Sequence, residues 1–430
     1  MIKSKKILLL IQVLTLHFSF AQKNEPFQNI LGSIKDSTTK SVISNPATFR
    51  YQIIYTQINR DKNGTPHFTN YKLNVDPNKY FNPASMVKMP LAFLSLEKLH
   101  ELNNKAVNKY TTILFDSSYP RQVAMYTDSS SNNKKPSIAH FIKRAFLISE
   151  NDPYNRMYQF VGQRDINRKL LQKGYSSTRI TRQFMGFTEE QNRHTNGIRF
   201  VDDQNKILYE QTPQYNTDSF AFGAPVLIGN AHWNSKDELI QGPFDFTKHN
   251  NISLEDMQKM LQAIIFPTSV PSISRFNISE EDRLFLLQFL SQYPSETNYP
   301  KYDSEHFYDS YVKFFFQDST HSMPRNIRVF NKVGWAYGFL TDVSYVLDTV
   351  NNVDYMLSAT VYVNSDGVVN DSKYDEATVG FPFLKQIGNV FYQYELKRSR
   401  ANKPVLHNPV KKYESRDPKD SRPSIKNVDN

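Results

Sequence analysis

The sequence predicts an α+β fold: an antiparallel sheet built from N- and C-terminal strands, flanked by helices, with a mainly α subdomain inserted between them. Three observations predict it. Strand-like alternation occurs at both ends of the chain, in Phe49–Ile58 and Phe68–Val75 and again in Arg328–Lys332, Asp342–Asp348 and Tyr355–Asn364. Capped helical patterns fill the middle. The regular β-α-β alternation that marks a parallel sheet is missing.

Taken in order, Met1–Ala21 reads as a secretory signal: Lys3, Lys5 and Lys6 form a basic start, 7–20 is apolar, and Ser19-Phe20-Ala21 is a small-x-small cleavage site. The expectation is export, to the periplasm or beyond it. No later run is long and apolar enough to span a bilayer. Residues 24–44 carry an irregular helical pattern. Tyr51, Ile53 and Tyr55 alternate with polar residues in the first strand, and Asp61-Lys62-Asn63-Gly64 turns the chain into the second. A helix follows from Ser85 to Leu99. Further helical patterns cover 137–149, with Ser137 as its cap, then 152–160 and 165–172. From Tyr175 to Asn251 the pattern weakens, and 198–209 suggests a hairpin within long irregular loops. Ser253-x-x-Asp256 and Ser279-x-x-Asp282 open two more helices, each in the manner of a capping box. Residues 380–396 form a closing helix.

The domain expectation is one main body over 22–396, with the all-α portion and its irregular insertion at about 100–327. From Lys397 onward ten Lys/Arg face four Asp/Glu, with prolines interspersed and little apolar periodicity. That composition predicts a disordered basic tail at 397–430. The formal charge of +10 resides partly in that tail and in the three signal lysines, which leaves the body near neutral and gives no charge argument for nucleic-acid binding. The chain has no cysteine, so a disulfide framework and cysteine metal sites are excluded.

Three short motifs carry chemistry. In Ser85-Met86-Val87-Lys88 the serine starts a helix and the lysine lies one turn on, on the same face. A desolvated lysine near another cation can act as the base that a serine nucleophile needs. Ser149-Glu150-Asn151 lies between two helices, where Ser149 could relay a proton and Asn151 could bind an amide. Lys332-Val333-Gly334 lies at the end of a strand. Lys332 could anchor a carboxylate or polarise Ser149, and Gly334 would let a substrate lie along the strand edge.

This ordered set, Ser-x-x-Lys, Ser-x-Asn and Lys-x-Gly, resembles that of the penicillin-recognising serine hydrolases, specifically the class A β-lactamases. The resemblance covers roughly 49–396. It implies acylation of Ser85 with Lys88 as base, proton transfer by Ser149 to the leaving nitrogen, Asn151 on the acylamide side chain and Lys332 on the carboxylate. It also implies an oxyanion hole from the N–H of Ser85 and of a residue just past Gly334, taken as Ala336, and no metal or organic cofactor.

The chain departs from the family pattern in three ways. Glu150 replaces an aspartate. Val333 replaces a hydroxyl residue. The glutamate that activates the deacylating water, expected in an E-x-x-L-N context, has only Glu189 or Glu190 as candidates in Glu189-x-x-Asn192. The expected substrates are therefore small-molecule β-lactams. The alternatives are a DD-peptidase or esterase acting on cell-wall peptide or another acyl compound, and a slowly deacylating penicillin-binding sensor. Oligomeric state is not legible from the residues.

Overall fold

The computed structural model describes residues 26–317, 319–402 and 405–428. The expected signal at Met1–Ala21 lies outside them. The described elements are α1 (Ser37–Ser44), β1 (Gln52–Arg60), β2 (Pro66–Leu73), α2 (Lys88–Leu102), β3 (Thr112–Asp116), α3 (Ile138–Leu147), α4 (Asn151–Val161) and α5 (Gln163–Gln172). They continue with β4 (Gly197–Val201), β5 (Ile207–Gln211), β6 (Leu227–Ile228), β7 (Ala231–Trp233), β8 (Leu239–Gln241), β9 (Phe244–Asp245), α6 (Leu254–Ile265) and α7 (Glu280–Ser291). The chain then returns to strands in β10 (Ile327–Ala336), β11 (Phe339–Asp348), β12 (Val353–Tyr362) and β13 (Val368–Val369), and closes with α8 (Phe381–Lys397).

The central sheet has the order β10-β11-β12-β1-β2 and every neighbouring pair is antiparallel. Its two halves, far apart in sequence, meet where Ile53 faces Ala359 and Thr56 faces Met356. Both faces are buried. Ile53, Tyr55, Val329, Leu340 and Leu357 pack with Phe383, Ile387 and Phe391 of α8 on one side. Ile54, Ile58, Phe330 and Val343 pack with the inserted helices on the other. Period-two alternation therefore sorts each strand between two cores, and the resulting layers are helix, sheet, helix.

The expected caps form: Ser137, Ser253 and Ser279 each accept from the N–H three residues on. Four expectations need correction. Residues 84–87 form one tight 3₁₀ turn, so the α-helix starts at Lys88 and Ser85 sits ahead of it. Lys332 lies in the middle of its strand, because the hairpin β10–β11 closes only at Tyr337-Gly338. The inserted portion also carries strands, the sheet β3-β4-β5 and the small pairings among β6–β9 and β13. Finally, residues 405–428 pack onto the body. Leu406 and Val410 are buried, Tyr413 shares a hydrogen bond with Ser291, Lys143 pairs with Glu414, and Ile425 bridges Tyr302. Backbone carbonyls at 294–298 take the basic side chains of Arg416 and Arg422, which composition alone had suggested were solvated. No helix among the described residues is long and apolar enough to cross a membrane.

Candidate active site

Asn82 and Pro83 set up the nucleophile turn. The Asn82 side-chain oxygen accepts from the Ala84 N–H at 2.8 Å, and Ala84 is held at φ 44°. A left-handed alanine is disfavoured, so surrounding packing must impose this turn. It carries Ser85 to the base of a cleft of about 730 Å³. As the second residue of a 3₁₀ turn, Ser85 offers an N–H from the helix-start set that lacks intrahelical acceptors.

Lys88 is fully buried, and its Nζ lies 2.7 Å from Ser85 Oγ and 2.8 Å from Asn151 Oδ1. It also donates to the Ser149 carbonyl and lies 3.3 Å from Ser149 Oγ. Burial, and then the charge of Lys332, hold Lys88 well below the ordinary lysine range. A neutral amine has two N–H groups and one lone pair. In that neutral form Asn151 Oδ1 and the Ser149 carbonyl would take the two donors and the lone pair would face Ser85 Oγ.

Ser149 joins the second lysine to this group. It is left-handed, φ 69°, at the break between α3 and α4. Lys332 Nζ lies 2.8 Å from Ser149 Oγ and 2.9 Å from the Val333 carbonyl. Burial pushes Lys332 down to about 7, with Asp342 opposing and Lys313 adding to the shift. Ser85, Lys88, Ser149, Asn151 and Lys332 thus form one continuous hydrogen-bonded chain from three distant segments.

Glu150 points the other way. Its carboxylate takes two bonds from Arg144, at 2.6 and 3.0 Å, and one from the Tyr302 hydroxyl, while Arg144 also reaches Asp128 at 2.9 Å. This buried brace fixes the motif from behind. The sequence reading missed Arg144 and Tyr302; the one signal was an arginine set among the apolar positions of α3.

Gly334 serves a different contact from the one expected. A Cβ there would lie 2.3 Å from the Pro83 carbonyl oxygen and 2.8 Å from Met86, so glycine allows β10 to touch the nucleophile turn. Val333 turns its side chain into the α8-side core, where a hydroxyl would be buried. The hairpin also fixes which backbone groups of β10 are free. In a two-residue hairpin the flanking pair, Ala336 and Phe339, exchange hydrogen bonds, so the Ala336 N–H belongs to the sheet. Residues of the other parity face the open edge, as the carbonyls of Ile327, Val329 and Val333 do when they accept from Tyr293, Lys313 and Lys332. Trp335 has that parity and lines the cleft.

Neither Glu189 nor Glu190 lines the cleft. Both open a short helix capped by Thr188, where acidic side chains suit the exposed N-terminal turn. Glu189 pairs with Lys248 at 2.8 Å and Glu190 lies 3.2 Å from His194. Asn192 is buried, and its side chain holds the loop by accepting from the Gln183 N–H. Among the described residues no carboxylate lines the cleft. Its remaining wall comes from 182–186 together with His249, Tyr311, Tyr337 and Tyr374.

A family model described as "Beta-lactamase enzyme family" matches residues 39–394. No curated protein matches the sequence. Similar solved structures include a β-lactamase from Sphaerobacter thermophilus, at 11% identity and TM-score 0.44, covering 86% of this chain and all of that one. The structure titled PBP-A is 13% identical at TM-score 0.45 and covers 83% of this chain and 94% of its own. The Streptomyces albus G β-lactamase is 10% identical at TM-score 0.44, with 82% and 99% covered.

Proposed function

Because this chain belongs to the β-lactamase enzyme family, among the penicillin-recognising serine hydrolases, we propose that it opens β-lactam amides by acyl transfer to Ser85. The observation that carries the proposal is the convergence on Lys88 Nζ of Ser85 Oγ, the Ser149 carbonyl and hydroxyl and Asn151 Oδ1. Lys88 takes that proton as Oγ attacks the carbonyl. The N–H groups of Ser85 and Trp335 receive the oxyanion. Ser149, bonded to both lysines, passes a proton to the leaving nitrogen; Asn151 binds the acylamide, and Lys332 draws the substrate carboxylate. We assign export through Met1–Ala21 to the same proposal.

One observation favours a second reading for the final step. With no carboxylate along the cleft among the described residues, the acyl-Ser85 ester lacks the base that would activate water. The absence of a positioned base costs about 10²–10⁴ in rate. The acyl-enzyme should then be long-lived, as in a penicillin-binding protein or DD-peptidase acting on cell-wall peptide. Time-resolved mass spectrometry with benzylpenicillin tests both steps. Expected is one equivalent of adduct on Ser85, formed in a burst and lost slowly. An adduct mapped to Ser149 would overturn the nucleophile. A fast turnover abolished by Glu189→Gln or Glu190→Gln would restore the loop carboxylates as the base.

A further inference from the structure

Arg182 has no counterpart in the acyl-transfer chemistry above. Its guanidinium lines the cleft, and among the described residues no carboxylate pairs with it. Its side-chain partner is His249, with Arg182 Nη1 2.7 Å from His249 Nε2. Burial and the Arg182 charge push His249 down to about 3, so the ring is neutral and accepts at Nε2. The acceptor is itself fixed, because His249 packs edge-on against Phe244, Phe246 and Tyr337. Asp245, the carboxylate that acts on His249, accepts from the Thr247 N–H. The Arg182 backbone is anchored independently, its N–H donating to Asn250 Oδ1 and its carbonyl accepting from Tyr154. The guanidinium is therefore held in place with open donors and no compensating charge.

The two lysines at the site differ in kind from Arg182. Lys88 and Lys332 are fully buried and committed to Ser85, Ser149, Asn151 and the Val333 carbonyl. The Arg182 loop runs directly into the reaction centre, since the ring of Phe184 lies 5.2 Å from Lys88 Nζ. It borders the cleft with Asn151, the residue given to the acylamide. We infer that Arg182, braced by His249, is an anion receptor for the acyl side of the substrate, so that the preferred substrates carry a carboxylate or similar anionic group on their acyl chain. The planar guanidinium suits a two-point carboxylate contact.

This inference rests on the acyl-transfer reading, and its test separates the two. Two penicillins with one nucleus are compared, one with a phenylacetyl and one with an α-carboxyphenylacetyl side chain, and acylation of Ser85 is followed by intact mass. Their shared ring carboxylate cancels in the ratio of rates. The anionic compound should react about ten- to a hundredfold faster, the range of one charge-assisted hydrogen-bonded contact. The ratio should fall as salt is raised. Arg182→Gln should bring it close to one, and Arg182→Lys should keep part of it. His249→Phe, which keeps the ring packing and removes the acceptor, should lower it too. A ratio near one in the unmodified protein, or one that survives Arg182→Gln, overturns the inference and leaves acyl transfer standing. No adduct on Ser85 from either compound overturns acyl transfer, and the inference with it.

Discussion

At the scale of single residues, the two buried lysines set the pH behaviour. Lys88 acts as a base only when neutral, and its pKa lies below the ordinary lysine range. Acylation should rise with pH as Lys88 deprotonates and level off before pH 10, measured as burst rate against pH. Lys88→Ala should slow the burst by about 10²–10⁴. Lys332 carries a stability prediction as well. Its folded pKa, about 7, lies below that of the unfolded chain. Between those values the unfolded state binds more protons, so this group makes stability rise with pH. Lys332→Met should therefore stabilise the fold at pH 7 by roughly 1–3 kcal/mol while removing activity, and the gain should shrink toward pH 10. Urea midpoints at the two pH values check this.

At the scale of elements, the contact between β10 and the nucleophile turn decides whether the site forms. Gly334→Ala places a methyl group 2.3 Å from the Pro83 carbonyl oxygen, a backbone atom that cannot swing aside as the Met86 side chain can. It should destabilise the protein by about 1–3 kcal/mol and remove acylation. Ala84→Gly, at φ 44°, should be neutral or stabilising, since glycine adopts that conformation freely. Thermal melts and burst amplitudes should fall for Gly334→Ala and hold or, for the melt, rise for Ala84→Gly. The sequence made the motifs legible because each couples a reactive residue type to a short fixed spacing. It made the flanking elements legible through caps such as Ser137 and Ser253, and through alternation in β1 and β12. Parity at the hairpin was not legible without its turn position, which is why Ala336 was named where the proposal uses Trp335. The inserted β4–β5 hairpin showed itself, whereas β6–β9 and β13, of two or three residues each, are too short to show a period. The Arg182–His249 pair is separated by 67 positions and has no periodic or spacing signal.

At the scale of the whole molecule, the chain's end completes its middle. Ile425 bridges Tyr302, the Tyr302 hydroxyl holds Glu150, and Glu150 sits between Ser149 and Asn151. Removing 405–430 withdraws Leu406, Val410 and Tyr413 from the core surface. It should lower stability by roughly 3–6 kcal/mol, from apolar burial of about 1.5–3 kcal/mol per large side chain. Tyr302→Phe should weaken acylation with a much smaller loss of stability. Chemical denaturation of the truncated chain, set beside burst rates of the point variant, distinguishes lost packing from lost positioning. The same closure has a consequence during synthesis. Ser85 and Lys88 leave the ribosome long before Lys332 does, roughly 10–50 s earlier at about 5–20 residues per second. Throughout that interval the nascent chain holds a nucleophile with no second cation and no β10 edge. Ser85 therefore waits without those partners until 327–336 and the packing segment 405–428 have emerged.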